Sequence, residues 1–267
     1  MLQKISLSRK GFDSGYGKIP SPILPDGTLL TMPIPDSGAI QNSYESLVYQ
    51  GKSYYDIIKE LSPNTKIKPQ DNCHLDPDLF SNCKSRELGW KPSFGQTGAA
   101  LSHLNKQGFG LEDLFLFFGW FRETESFNGQ LRYRKNAPDI HIIFGYMQVG
   151  EMIESNEDVP SWLKNHPHAD DNHWKKKNCI YTPTQNLTFM NETPGAGLLK
   201  FDPKRVLTKT GCSRTIWDLP DFFKEIEMTY HSQNSWKDYG FKSADKGQEF
   251  VFCPDDKAME WIKDILK

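Results

Sequence analysis

No run of about 18 apolar residues occurs in this chain, so no segment reads as a transmembrane helix. The opening, MLQKISLSRK, lacks the apolar core of a secretion signal. Cysteine is scarce: Cys73, Cys83, Cys179, Cys212 and Cys253 are odd in number and widely spread. Without an export signal they read as reduced thiols of a cytoplasmic protein. The Asn-x-Thr matches at Asn186 and Asn191 then carry no weight. A basic excess is missing too. The formal net charge is -2, which argues against a histone-like DNA coat. Any nucleic-acid contact must come from a local patch. The glycines match neither a P-loop nor a dinucleotide fingerprint, which discounts a kinase and an NAD enzyme. Repeats, linkers and low-complexity tracts are also lacking, so residues 1–267 read as one domain. Aromatics are plentiful at 13%, and a core can be built from them although only 37% of residues are hydrophobic.

The organising stretch is ISLSRKGFDSGYGKIPSP, from Ile5 to Pro22. Ile5 and Leu7 alternate with Ser6 and Ser8, which predicts a strand with one apolar face. It runs into Arg9-Lys10-Gly11-Phe12-Asp13-Ser14-Gly15, where two cations and a carboxylate are bracketed by glycines. Loops at strand ends are where sites are commonly built. An ionised carboxylate beside cations suits water activation next to a phosphate-bearing substrate. The plain alternative is a solvated surface turn.

Beyond it, Pro20, Pro22, Pro25, Pro33 and Pro35 exclude helix, and Leu29 to Asp36 reads as a short apolar strand. Helices are predicted near Ser53–Leu61, with Ser53 as cap, at Gly98–Lys106, after Asp218 and at Ala258–Leu266. Strands are predicted over Leu114–Phe121, over Ile140–Ile153 with breaks at Gly145 and Gly150, over Cys179–Thr182 and over Gln248–Phe252. The pattern predicts an α+β domain with an antiparallel sheet or small barrel and flanking helices.

SLSRKGFDS, PSPI, TMPIPD, HLDPDL, FGQTGAALSHL, DLFLFFGWFR, HIIFGYMQVGE and GQEFVF occur in this order. Together they resemble the third nucleotide-modification-associated domain family of bacteria and phages, over nearly the whole chain. The resemblance implies action on modified bases in DNA. A narrower resemblance, to anti-phage DNA glycosylases, implies removal of a base such as glucosylated hydroxymethylcytosine. The block DLFLFFGWFR to HIIFGYMQVGE is also similar to PUA-like barrels, including EVE and ASCH domains, which hold a base in a pocket.

Cleavage of an N-glycosidic bond passes through an oxocarbenium-like sugar, which a carboxylate can stabilise while it orients water. Asp13 is the first candidate and Asp76 the second; the plain reading of Asp76 and Asp78 is a helix cap or Asx-turn. Lys10 offers a Schiff-base route, although a phosphate contact is the commoner role. Arg9, Phe12, Ser14, Asp78, Gln96, Trp120, Arg122 and Gln148 complete the substrate-binding candidates. Arg132 and Arg134 around Tyr133, Lys175, Lys176 and Lys177 after Trp174, and Arg214 are the DNA-binding candidates. His166, His168 and His173 offer zinc ligands, but their spacing matches no metal motif and they read as a polar loop. The expectation is therefore a glycosylase acting without metal or cofactor on double-stranded DNA with modified bases, with no membrane and no obligate protein partner. A non-catalytic reader of modified bases, an enzyme that installs a modification and a nuclease remain as alternatives.

Overall fold

The computed structural model describes residues 3–38, 42–244 and 247–267. Nine strands share one sheet: β1 (Ile5–Arg9), β2 (Ser21–Ile23), β3 (Phe94–Thr97), β4 (Leu114–Phe127), β5 (Gln130–Tyr133), β6 (Ile140–Ile153), β7 (Asn178–Pro183), β8 (Ala196–Leu198) and β9 (Glu249–Phe252). The order is β9-β1-β4-β6-β7-β3, with β2 and β5 also on β4 and β8 on β6. The sheet curls into a half-barrel within an α+β fold. It is mixed rather than wholly antiparallel. Both β1 and β2 run parallel to β4, from Ile5↔Leu114 to Arg9↔Phe118 and from Ser21↔Phe121 to Ile23↔Glu123. Parallel pairing needs a long crossover, and the chain between Ile23 and Leu114 supplies one.

The phenylalanine-rich β4 reads as unbroken hydrophobicity because both of its faces are covered. Leu114, Leu116 and Phe118 pack with Ile5, Leu7, Trp217 and Phe250 on one side. Phe115, Phe117 and Phe121 pack with Phe94 and Phe144 on the other. Helix α1 (Tyr54–Leu61) is capped by Ser53, whose hydroxyl accepts from the Asp56 amide at 3.0 Å. Its Ile57, Ile58 and Leu61 build a separate cluster with Phe12 and Tyr44. Helix α2 (Gly98–Lys106) buries Leu101 and Leu104 on the second face of the sheet. After the short α3 (Asp171–Trp174), α4 (Asp256–Leu266) starts at the Asp255 cap and lays Ile262, Ile265 and Leu266 on the first face.

The breaks expected in β6 occur as register shifts, between Ile143 and Gly145 and between Val149 and Glu151. A Cβ on Gly150 would lie 2.5 Å from the Pro183 carbonyl oxygen, so the bulge packs there only with glycine. Two expected elements shrink. The strand over Leu29–Asp36 is reduced to Ile34–Pro35, paired with Cys73–His74, while Leu29, Leu30 and Met32 are buried without a ladder. The helix after Asp218 is one 3-10 turn, Asp221–Lys224, in which the Glu225 amide reaches back only three residues to Phe222. All five cysteines are free thiols. Among the described residues, no helix is long and apolar enough to cross a membrane.

Candidate functional site

The two end strands of the sheet, β9 and β3, do not pair through their backbones. Their side chains meet instead. Glu249 opens β9 and is 1% exposed. Its carboxylate accepts from the Ser6 and Ser8 hydroxyls at 2.9 Å each, from Lys10 Nζ at 2.9 Å and from the Gln96 carboxamide of β3. Ser6 and Ser8 therefore line no solvent face, as the alternation of β1 suggests, but a buried polar seam. Lys10 stands 4.3 Å over the Phe94 ring as well. Its partner is Glu249, so it does not hold Asp13 as the local sequence suggests. Glu249 is not among the residues singled out from the sequence; its only local signal is a carboxylate heading an apolar strand.

Above this seam opens a cavity of about 570 Å³, with Arg9, Lys10, Asp13, Asp76, Gln96 and Thr97 in its lining. Residues from both ends of the chain's first hundred positions thus face one space. Arg9 donates to the Gly247 carbonyl at 2.5 Å. Asp13 Oδ1 accepts from the amides of Gly15 and Tyr16 at 2.7 Å each, which closes the turn that carries it.

A histidine cluster forms the far wall. Asp76 Oδ1 accepts from the Gly95 amide at 2.8 Å and lies 3.3 Å from His166 Nε2. Asp76 Oδ2 lies 3.8 Å from both His74 Nε2 and His168 Nε2, and those two nitrogens are 3.2 Å apart. The ring of His173 stands 4.6 Å from that of His168. Hence 166–173 is not a solvated polar loop: His166 and His168 are buried on Asp76, a partner far upstream in sequence. Nor is Asp76 an Asx-turn residue, because its acceptor capacity is used across the fold. Burial alone would raise the Asp76 carboxyl. The His166 contact and the neighbouring imidazoles overcome it and hold the group below the usual carboxylate range. Burial pushes His168 down to about 3, against the pull of Asp76. A hydrogen bond from His74 leads the effects that hold Asp36 at about 2. Gly95 makes room for this wall, since a Cβ there would lie 2.2 Å from the His168 ring.

Other candidates lie elsewhere. Phe12 is core, edge-on to Tyr44 at 6.3 Å. Asp78 is gripped by Arg86 through two contacts of 2.6 Å. Gln148 is fully buried; it donates to the Glu112 carbonyl at 2.8 Å and Thr188 Oγ1 at 2.7 Å, and accepts from the Thr188 amide at 2.8 Å. A base edge is not needed to satisfy it. Arg122 pairs with Asp139 at 2.7 Å, and Arg132 and Arg134 pair with Glu125 and Glu123 at 2.8 Å each across the β4–β5 hairpin. Arg214 lies 4.2 Å over the Trp120 ring and donates to Ser14 on the opening loop. Lys175, Lys176 and Lys177 are exposed, and the Lys177 carbonyl accepts from Thr97 of the cavity lining at 2.8 Å.

A larger cleft of about 910 Å³ lies between the 223–236 segment and the 251–255 segment. Among the described residues, the convergent set of metal-type donors is in the histidine wall, not there. No curated protein and no solved structure matches the chain. The model of nucleotide modification associated domain 3 matches residues 4–253, which take in the seam, the cavity and the histidine wall. The chain belongs to the nucleotide modification associated domain 3 family.

Proposed function

We propose that this protein is a DNA glycosylase that hydrolyses the N-glycosidic bond of a modified base and leaves an abasic site. The observation that carries the reading is the meeting of Asp13, Asp76, Arg9 and Lys10 in one cavity above the Glu249 seam. Its volume falls within the range of about 300–1,000 Å³ for small-molecule sites. A base bearing a sugar is bulky and amphipathic, and this lining sets carboxylates, cations and Gln96 among apolar surface and histidine and tyrosine rings. The target nucleotide would leave the helix stack, because its glycosidic bond is out of reach inside the duplex.

In this mechanism Asp13 Oδ1 stays on the Gly15 and Tyr16 amides, and Oδ2 faces the sugar, stabilises its developing positive charge and orients the attacking water. Arg9 supplies positive charge for a flanking phosphate, while the charge of Lys10 is balanced by Glu249. Lys175–Lys177 extend that field beside Thr97. The shifted Asp76, Asp36 and His168 favour chemistry over passive reading, since such shifts gather at active sites.

The test is incubation with phage DNA carrying modified cytosine and with unmodified DNA, followed by mass spectrometry of the released material. A free modified base and an alkali-labile strand are expected from the modified DNA alone. Strand cuts without an abasic intermediate would turn the reading to a nuclease, and tight binding without release would turn it to a reader.

A further inference from the structure

We propose that His74, Asp76 and His168 bind a divalent first-row transition-metal ion of zinc-like ligand preference at the wall of the cavity. The three donor atoms lie within 4.8 Å of one another. A tetrahedral ion with bonds of about 2.0–2.2 Å sets its ligand atoms about 3.3 Å apart. The two Nε2 atoms already stand at 3.2 Å, and Asp76 Oδ2 is 3.8 Å from each.

The surrounding hydrogen bonds decide which nitrogen of each ring carries a lone pair. His74 Nδ1 faces Asp36 Oδ2 at 3.2 Å, and a carboxylate only accepts, so Nδ1 carries the hydrogen. The Asn178 carboxamide nitrogen donates to the His168 carbonyl at 2.8 Å, which fixes its orientation. Its oxygen then accepts from His168 Nδ1, also at 2.8 Å. In the neutral form of each ring Nε2 is therefore a lone pair, and the two lone pairs would point at each other. Such a pair is repulsive unless a cation lies between them. Carboxylate or amide groups behind ligating histidines, together with a hydrogen-bonded ligating carboxylate, are the usual outer shell of a metal site. Here Asp36, Asn178 and the Gly95 amide take those places.

Two imidazoles and one carboxylate suit zinc and its first-row neighbours better than magnesium or calcium. All three ligands border the cavity, so a fourth position would open toward it and take water or a substrate oxygen. The inference stands apart from the glycosidic reading: it is read out by binding, without DNA.

Chelator-stripped protein is titrated with Co²⁺ and then with Zn²⁺. One Co²⁺ per chain with visible d–d absorption is expected, and Zn²⁺ should displace it. Asp36→Asn keeps all three ligands and should weaken affinity about 10- to 100-fold. His74→Gln, at the more exposed edge of the cluster, should weaken it further. Circular dichroism and melting of the stripped variants check that each is folded, and Asp36→Asn decides alone if His74→Gln is not. Absence of stoichiometric Co²⁺ and Zn²⁺ binding to the wild type overturns the proposal and leaves a shared proton between the two rings. An unchanged Co²⁺ spectrum and affinity in folded variants overturns it as well.

Discussion

His74 Nε2 and His168 Nε2 face each other at 3.2 Å across 94 residues of sequence. One ring hangs on a two-residue strand and the other on a 3-10 turn packed against Gly95. Between them and the Glu249 seam lies the cavity in which the proposed chemistry takes place, and its parts make separable predictions.

Asp13→Asn should abolish base release while the protein stays folded. Asparagine keeps the oxygen that accepts from Gly15 and Tyr16 but loses the charge. Loss of such a group costs about 10² to 10⁴ in rate. Single-turnover base release measured beside thermal melting checks this, and full activity would pass the role to Asp76. Borohydride added during turnover should trap no protein–DNA adduct, because Lys10 is engaged by Glu249. A trapped adduct absent from Lys10→Ala would reinstate the Schiff-base route.

Reversing the charge of Lys175, Lys176 and Lys177 should weaken binding to all DNA sequences alike. Removing one lysine–phosphate interaction makes the plot of log affinity against log salt shallower by about 0.9. These side chains are exposed, so the fold should tolerate the change. A salt titration of binding is the measurement, and an unaltered slope would put the DNA on another face.

Gln148→Ala should act on stability, not on base recognition. Its carboxamide is consumed by Glu112 and Thr188, and removal breaks part-buried hydrogen bonds worth about 0.5–1.5 kcal/mol each. Urea unfolding should show the loss, with base release per folded molecule unchanged. A selective loss of release in a fully stable variant would restore the base-edge role.

His141 makes stability fall in acid. Burial, reinforced by Arg9, Arg214 and Lys242, pushes its pKa down to about 3, and Trp217 Nε1 donates to its Nδ1 at 3.1 Å. The unfolded chain takes up this proton near pH 6.5 and the folded one does not. Unfolding free energy should therefore drop as pH falls from about 6.5 towards 3, at about 1.4 kcal/mol per pH unit for this group. In His141→Gln, which can still accept from Trp217, the dependence should flatten by that amount. Denaturation midpoints from pH 4 to 7 decide it.

Much of the local architecture was legible in the residues themselves. The stripe of Tyr54, Ile57, Ile58 and Leu61 behind Ser53 made α1, and Leu101 with Leu104 made α2. Gly145 and Gly150 marked the bulges of β6. These features depend on periodicity and on backbone freedom, which are properties of neighbours in sequence. The 3-10 turn after Asp218 escaped because a proline-led apolar stretch fits a short turn as well as a helix. The strand over Leu29–Asp36 escaped because burial without pairing leaves the same apolar pattern.

The site was half legible for the same reason. The loop from Arg9 to Asp13 could be chosen from its own charges and glycines. Glu249 beneath Lys10, 239 residues away, could not, nor could the meeting of His74 with His168. A buried charge is tolerated only where partners converge on it. Which partners converge follows from strand order: β9 and β3 end the sheet on opposite sides, and its curl brings their side chains together over β1. Local sequence thus determined most of the strands and helices and the charged loop from Arg9 to Asp13, while the closing of the half-barrel decided which charges, hydroxyls and imidazoles came together.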